Sequence, residues 1–345
     1  MHTLNLPQRL RLIATAGAQA QDWNAVGPPD PSPDVPSGDQ AAQILRKRFK
    51  VAQSDATAAA QARPDPGEDP ELWWVLERCY KQIVTGMGSP DMIKWPPFPA
   101  EKWGLKGRFV YIYALLSALP RTMEYFTQRG IPESMINETF ADLAEKLRLD
   151  RDRVALPGLG KSLWFTLHFK GALYQLGRLQ FAMESLREEL ATGDHKPDEL
   201  TLGMHIRAEG GGLDPVAVVD SVARADEFFT THFPELYDAP PLYTCTSWLL
   251  DPQLREFLRP DSNIARFQDM FELLPAAADA GTEGNRNVLL FVFNIEGSYN
   301  PATLPRNTTL EKHLADGLAQ GRQWQMRTGF LSKDSNSFKA ASLRR

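Results

Sequence analysis

Residues 202–220 read "LGMHIRAEGGGLDPVAVVD", and the fold turns on how their three adjacent glycines are read. Upstream, "LTLGMHIRA" (200–208) alternates as a β-strand, with Leu202, Met204 and Ile206 on the side opposite His205. Downstream, Asp214 and Pro215 open a helix: Asp214 as N-cap, and Pro215 at the first helical position, where its missing N–H removes no bond. Glycines without Cβ let several backbone N–H groups converge beside the positive end of that helix. Such a junction is either a plain turn or an anion cradle suited to a pyrophosphate. The spacing is not G-x-G-x-x-G, and "ALPGLGKS" (155–162) has Ala155 where a phosphate-loop glycine would stand.

Outward from this junction the second half alternates strands and helices. "KSLWFTLHFKGAL" predicts a helix ending at Gly171, "ALYQLGRLQFAME" a strand, and "DPVAVVDSVARADEFFTTHF" a helix. "PLYTCTSWLL" predicts a strand and "DPQLREFL" a helix. "ARFQDMFELLP" and "NVLLFVFNI" predict a hairpin, with a last amphipathic helix over 309–324. The class is α+β or α/β with a mixed sheet. Residues 71–155 are helical by period, from "ELWWVLERCYKQIV" through "GRFVYIYALLSALPRTMEYFTQRG", where Pro120 predicts a kink or break, to "IPESMINETFADLAEKL". Residues 1–70, rich in Pro, Ala and Asp, predict a poorly ordered leader with one helix near 38–62, and 332–345 a flexible tail. The sheet-bearing domain is therefore expected over 156–331.

Composition narrows the function. A formal charge of −5 argues against a general nucleic-acid binder. Cys79 and Cys245 are too few for a disulfide framework and fit a reducing cytoplasm. There is no CxxC or HExxH spacing to hold a metal, and no run long enough to span a bilayer. The expected setting is cytoplasmic, with no membrane or nucleic-acid partner.

"LPRTMEYFTQRGIPESMINETFADL" (119–143), "YQLGRLQF" (174–181), "LGMHIRAEGGGLDP" (202–215) and "SWLLDPQLREFLRPDSNIARFQDMFEL" (247–273) carry a resemblance. The chain resembles, over about 70–330, a bacterial family of acyltransferase-domain proteins. Its members join a helical N-acyltransferase-associated domain to a GNAT-like (N-acetyltransferase) domain. The resemblance implies a GNAT-like mixed sheet flanked by helices, acetyl-CoA or another acyl-CoA as cofactor, and a small-molecule or peptide acceptor. It also implies that Gly210, Gly211 and Gly212, with Ile206 and Arg207, hold the CoA pyrophosphate. The acyl thioester would then lie between the strands around Met204–Ile206 and Thr244–Trp248. The usual GNAT loop signature, Gln/Arg-x-x-Gly-x-Gly/Ala, is absent, and Thr246 and Arg207 stand where the family commonly has His and Pro.

Acyl transfer needs a base, donors for an oxyanion and an acid for the departing thiolate. His205 and Glu209 are the candidate bases; each also has a bland reading, as a sheet hydrogen-bonder and a solvated loop residue. Cys245 and Ser247 share one side of the next strand and are candidate donors to the thiolate or substrate, or else buried small residues. Tyr243 is a substitute for the tyrosine acid common in GNAT enzymes. Arg178 and Gln180, on one face of a central strand, would bind a substrate anion or a partner carboxylate. Trp248 and Asn263 are further candidates toward substrate, although Asp251 more simply caps a helix after Trp248, and Asn263 more simply organises a helix entry. His168 reads as a core histidine. The leading function is an acyl-CoA-dependent acyltransferase acting on an amine or hydroxyl. The alternatives are a catalytically silent CoA- or ligand-binding sensor and a structural scaffold.

Overall fold

The computed structural model describes residues 25–93, 95, 100–159, 163–191, 195–237 and 241–345. The first 24 residues of the leader, and Gly160–Ser162 of "ALPGLGKS", lie outside the described residues. The chain divides into two compact units at Tyr174/Gln175, rather than at the 155/156 boundary expected from periodicity.

In the N-terminal unit the one helix expected near 38–62 is two helices. Ser37 opens helix α1 (Gly38–Lys47) with a capping box to Gln40, and α2 (Gln53–Gln61) follows. Ala41, Leu45, Phe49, Ala56 and Ala59 are fully buried. Small side chains let these two helices approach closely: a Cβ on Gly38 would lie 2.4 Å from the Ala60 carbonyl oxygen. Helices α3 (Pro70–Thr85), α4 (Gly104–Gln128), α5 (Glu133–Val154) and α6 (Phe165–Lys170) complete the unit. Pro120 neither breaks nor ends α4; it sits exposed within a single helix. Phe49, Phe126, Phe140 and Phe169 stack edge-on and tilted at centroid distances of 4.9–6.1 Å, forming the aromatic centre of the unit. Residues 156–158 of the "ALPGLG" loop have a structural role. Arg108 donates to the carbonyls of Pro157 (2.7 Å) and Gly158 (2.9 Å) while pairing with Asp150 at 2.6 Å.

One buried polar cluster ties α5 to α6. The Asp142 carboxylate, wholly buried, accepts from the Trp164 indole (2.9 Å) and faces His168 Nε2 (3.2 Å) and Lys146 Nζ (3.7 Å). Burial alone would push this carboxyl up, but His168, Lys146 and the indole outweigh it and hold it well below the usual carboxylate range. His168 is the core histidine expected, and this is its partner.

Among the described residues the C-terminal unit carries six strands, with β1 reaching back over the boundary: β1 (Leu173–Leu176), β2 (Leu179–Ser185), β3 (Leu200–His205), β4 (Leu242–Ser247), β5 (Phe271–Leu273) and β6 (Arg327–Leu331). Their order is β1-β2-β3-β4-β6-β5. The pairs β2/β3, β4/β6 and β5/β6 are antiparallel, while β3/β4 is parallel. The parallel pair requires a crossover, and helix α7 (Pro215–His232) supplies it. Asp214 caps α7 as expected, accepting from the N–H groups of Val216 (3.0 Å) and Ala217 (3.3 Å). Val218, Val219, Val222, Ala225, Phe228 and Phe229 are its buried face. The mixed sheet flanked by helices is the architecture that the resemblance implied.

Several local readings are corrected. "ALYQLGRLQFAME" is not one strand but two, β1 and β2, turned at Gly177 and Arg178, where Gly177 takes φ +73°. "ARFQDMFEL" splits into helix α8 (Asn263–Gln268) and short β5, while "NVLLFVF" ends helix α9 (Ala280–Phe293). A short apolar run has no period that separates a strand from a buried helix face. Here the helix wins because Gly284 lets α9 lie against the Trp324 backbone, and Val288 and Leu289 pack with Leu314, Leu318 and Trp324. "DPQLREFL" is a 3-10 turn over Pro252–Glu256. Helix α10 (Thr309–Ala319) stops before Trp324, whose indole donates to the Leu314 carbonyl at 3.2 Å. The expected tail holds helix α11 (Asn336–Ser342), with Phe338 and Ala341 buried. Lys333 bonds to Asp226 (2.7 Å) and Arg345 to Asp220 (3.1 Å), both on α7.

The Asp142 cluster has a pH signature. Its carboxyl lies lower in the folded chain than the ordinary 3.8, so its stabilisation is complete above about pH 5 and is lost as pH falls through the folded-state value. Asp142→Asn should therefore lose about 3–5 kcal/mol at pH 7. The gap from the parent should narrow as pH drops below 3.8. Urea unfolding followed across that range checks both the size and the sign.

Candidate active site

Strand register defines the two faces of the sheet. In β2/β3, Gln180 pairs with His205, Ala182 with Gly203 and Glu184 with Thr201, and paired residues share a face. Thr244 joins this face through its pairing with Gly203, and Thr246 follows two residues on. Phe181, Leu202, Tyr243 and Cys245 project from the other side. There the Tyr243 hydroxyl donates to Asp226 of α7 (2.9 Å), and the Phe181 and Tyr243 rings lie 5.6 Å apart.

The first face carries a histidine–carboxylate pair. His205 Nε2 lies 3.2 Å from Glu184 Oε1, with both side chains about one-third exposed. Gly203 makes this contact possible, because a Cβ there would fall 2.4 Å from the Glu184 carboxyl carbon. The glycine leaves room on that face for the carboxylate to lie over β3 and reach the imidazole. Gln180, opposite His205, is 2% exposed. Across β4/β6 the hydroxyls of Thr246 and Thr328 meet at 2.9 Å.

Beside His205 the sheet opens. The β3/β4 ladder comprises Thr201↔Leu242, Leu202↔Tyr243 and Gly203↔Thr244 and then ends, although β3 runs on to His205 and β4 to Ser247. The outer edges of both strands remain paired, β3 with β2 and β4 with β6. The gap thus lies between Met204–Ile206 and Cys245–Ser247, where the resemblance implied it.

The glycine loop follows at once. Gly210 and Gly211 adopt φ +110° and +82°, conformations that side chains with a Cβ rarely take. Arg178 was expected on a strand face reading a substrate anion. It sits instead in the β1–β2 turn and holds loop carbonyls: Nε to Gly211 (3.1 Å) and Gly212 (3.2 Å), Nη2 to Gly211 (2.8 Å) and Arg207 (3.2 Å). Its own N–H donates to Ser221 Oγ of α7 at 2.7 Å, fixing the turn to the helix. With the carbonyls committed to Arg178, the N–H groups of Gly210, Gly211 and Gly212 have no protein acceptor among the described residues. All three glycines are exposed, directly before the N-terminus of α7. Asn263, at the start of α8, places its amide nitrogen 3.2 Å from where a Cβ on Gly212 would stand.

Several of the other expected residues are engaged elsewhere. Cys245 is buried on the far face, and burial, with Glu184 adding to it, pushes its thiol up to about 12. A thiol so reluctant to ionise, facing away from His205, is poorly placed to serve the gap. Ser247 accepts from the Leu249 N–H at 3.1 Å as the cap of a short 3-10 turn. Trp248 belongs to the core around Leu254, Val288 and Leu314. Asp251, buried after Trp248, caps the next turn through Gln253 N–H (3.0 Å) and takes the Gln325 N–H (2.7 Å). Burial raises its carboxyl despite those bonds. Tyr243 is committed to Asp226, and burial raises its hydroxyl well above the ordinary range. Glu209 stands exposed on the loop, and Ile206 is half-buried where β3 has left the ladder. The residues missed were Glu184 and Gly203. Glu184 sits 21 positions from His205, a separation at which no spacing rule applies.

Comparison with known proteins follows this geometry. Residues 39–171 match the N-acyltransferase N-terminal domain and residues 173–331 the GNAT-like C-terminal domain. A crystal structure of an acyltransferase mutant in complex with octanoyl-CoA is 33% identical, with a TM-score of 0.83 over 94% of this chain and 99% of that one. An acyltransferase in complex with CoA and 10C-teicoplanin gives the same identity, coverage and score. One in complex with decanoyl-CoA and teicoplanin is 33% identical, with a TM-score of 0.82 over 94% of this chain and 98% of that chain. No curated protein matches the chain.

The slot at position 203 is directly testable. Gly203→Ala must displace the Glu184 carboxylate, the movable end of a side chain, so stability should change by less than about 1 kcal/mol. The His205–Glu184 contact should nevertheless be lost. Nitrogen NMR of the imidazole reads this as a shift from a single tautomer to a mixture, and an unchanged tautomer would show that the glycine does not create the contact.

Proposed function

This chain belongs to the acyltransferases that join an N-acyltransferase N-terminal domain to a GNAT-like C-terminal domain, and on that premise we propose how it works. It transfers an acyl group from acyl-CoA to an amine or hydroxyl of a small-molecule acceptor. The observation that carries the reading is one continuous arrangement: a parted parallel strand pair, then a glycine loop with unused N–H groups, then a helix N-terminus. The N–H groups of Gly210–Gly212 and the positive end of α7 hold the pyrophosphate, and Arg178 keeps the loop in that shape. Asn263 borders the same cradle. The acyl thioester lies in the gap past Gly203 and Thr244, where N–H groups outside the ladder receive the oxyanion.

We assign the base to His205 rather than Glu209, because a carboxylate beside the phosphate cradle would oppose the anion held there. With Nε2–H donating to Glu184, the basic lone pair of His205 lies on Nδ1. The acceptor nitrogen or oxygen attacks the thioester carbonyl, and Nδ1 takes its proton. The tetrahedral intermediate collapses, the C–S bond breaks, and the imidazolium gives that proton to the CoA thiolate. Amide or ester and CoA thiol result. No separate acid is required, which fits the burial of Cys245 and the engagement of Tyr243 with α7.

Two similar structures hold teicoplanin, which supports a small-molecule acceptor here, and octanoyl- and decanoyl-CoA are the first donors to test. Two buried free cysteines support a reducing, cytoplasmic setting in a bacterium. No helix among the described residues is long and apolar enough to cross a membrane.

Calorimetry with decanoyl-CoA tests the site. The parent should bind, and Gly211→Val, forced from φ +82°, should bind at least about tenfold more weakly. Absence of binding by the folded parent would overturn the reading. His205→Ala should lower kcat by about 10²–10⁴-fold while leaving acyl-CoA affinity within about twofold. A matching loss of affinity would instead make His205 part of the cofactor cradle.

A further inference from the structure

We infer that Gln180 reads the acceptor, donating a hydrogen bond to an oxygen that the acceptor carries close to its nucleophilic atom. This rests on the acyl-transfer reading and deepens it by naming a feature of the substrate. Gln180 is 2% exposed, and its amide nitrogen has no hydrogen-bond partner among the described residues. The neighbouring glutamine shows the contrast: Gln175 uses its amide nitrogen on the carbonyls of Gly177 (2.7 Å) and Leu179 (3.2 Å). A buried amide N–H without an acceptor destabilises a fold, and native chains retain few of them. Such a donor is explained when a ligand supplies the missing acceptor.

Its position says which ligand. Gln180 pairs directly with His205 across β2/β3, on the face that also bears Glu184. Directly paired side chains stand about 4.5–5.5 Å apart at Cβ. The donor is therefore within one small group of the imidazole that deprotonates the nucleophile. The thioester, however, lies on the opposite side of β3, in the gap toward β4. With strands about 4.8 Å apart, Gln180 is a full strand further from that gap than His205. It is placed to touch the molecule arriving at the base, not the acyl-CoA. The amide N–H requires an oxygen acceptor, so the favoured substrate is an amine bearing a hydroxyl, ether or carbonyl oxygen near the nitrogen. An alkylamine without that oxygen leaves the donor unpaired and is discriminated against, as expected of sites built to hydrogen-bond.

The test uses the full chain and two minimal nucleophiles, 2-aminoethanol and n-propylamine, at saturating decanoyl-CoA, with CoA thiol release as the readout. The parent should prefer 2-aminoethanol by about tenfold or more in kcat/KM. Gln180→Met, apolar and of similar length, should bring the ratio near one and leave decanoyl-CoA affinity unchanged. Removing an unpaired buried amide should also raise the melting temperature by about 2–4 °C. An unaltered preference in Gln180→Met, no preference in the parent, or a lowered melting temperature would each overturn the assignment. Where decanoyl-CoA binds and neither amine reacts, the expected preference is absent and the assignment is overturned. Failure of decanoyl-CoA to bind the parent counts against the acyl-transfer reading, so the two failures are distinguishable.

Discussion

The site depends on a parallel ladder that stops after three residue pairs while both strands continue. Interior backbone N–H and C=O groups are ordinarily paired, so two strands that part must keep their outer edges bonded and leave only the inner edges open. β2 and β6 meet this condition, gripping β3 and β4 from outside through His205 and Ser247. The opening is thereby rigid on both sides and lined with backbone polar groups that an acyl carbonyl can use. The glycine loop and α7 follow because a parallel pair needs a crossover, and the crossover must begin where β3 leaves the sheet. The glycine loop and the gap proposed to hold the acyl-CoA are thus consequences of one topological choice.

Arg178 shows how the cradle gains its polarity. A glycine-rich loop has no intrinsic reason to turn its N–H groups outward. A guanidinium planted in the adjacent hairpin turn and bonded to the carbonyls of Arg207, Gly211 and Gly212 supplies that reason. The cation thus acts on the proposed anion site through the backbone. Ser221, tying the Arg178 N–H to α7, keeps turn, loop and helix in one arrangement.

Much of this was legible in the sequence, and the failures have physical causes. Asp214, Pro215 and the glycines marked the loop because capping and φ preferences are local properties. The α9 segment was misread as a strand because "NVLLFVF" is apolar on every side and shows no period. Its helical state depends on Gly284 meeting the Trp324 backbone, a contact 40 residues away. Gly177-Arg178 did not announce a hairpin because Leu176 and Leu179 flank it without interruption. At the site, His205 was visible as a polar residue in an apolar strand, but its partner Glu184 was not. The pair exists only through β2/β3 register, which pairs no neighbouring residues in sequence. For Cys245 and Ser247 the sequence was silent for a related reason: alternation tells which residues share a face, not which face meets the gap.

The Gly203 slot bears on how relatives of this chain can vary. Because the Glu184 carboxylate occupies the volume that a Cβ at position 203 would fill, the two positions share one space. A chain that enlarges residue 203 must shorten or redirect residue 184, and a chain that loses the carboxylate is released from the glycine. A larger residue 203 should therefore accompany a shortened or redirected residue 184, leaving a correlated trace in sequence divergence.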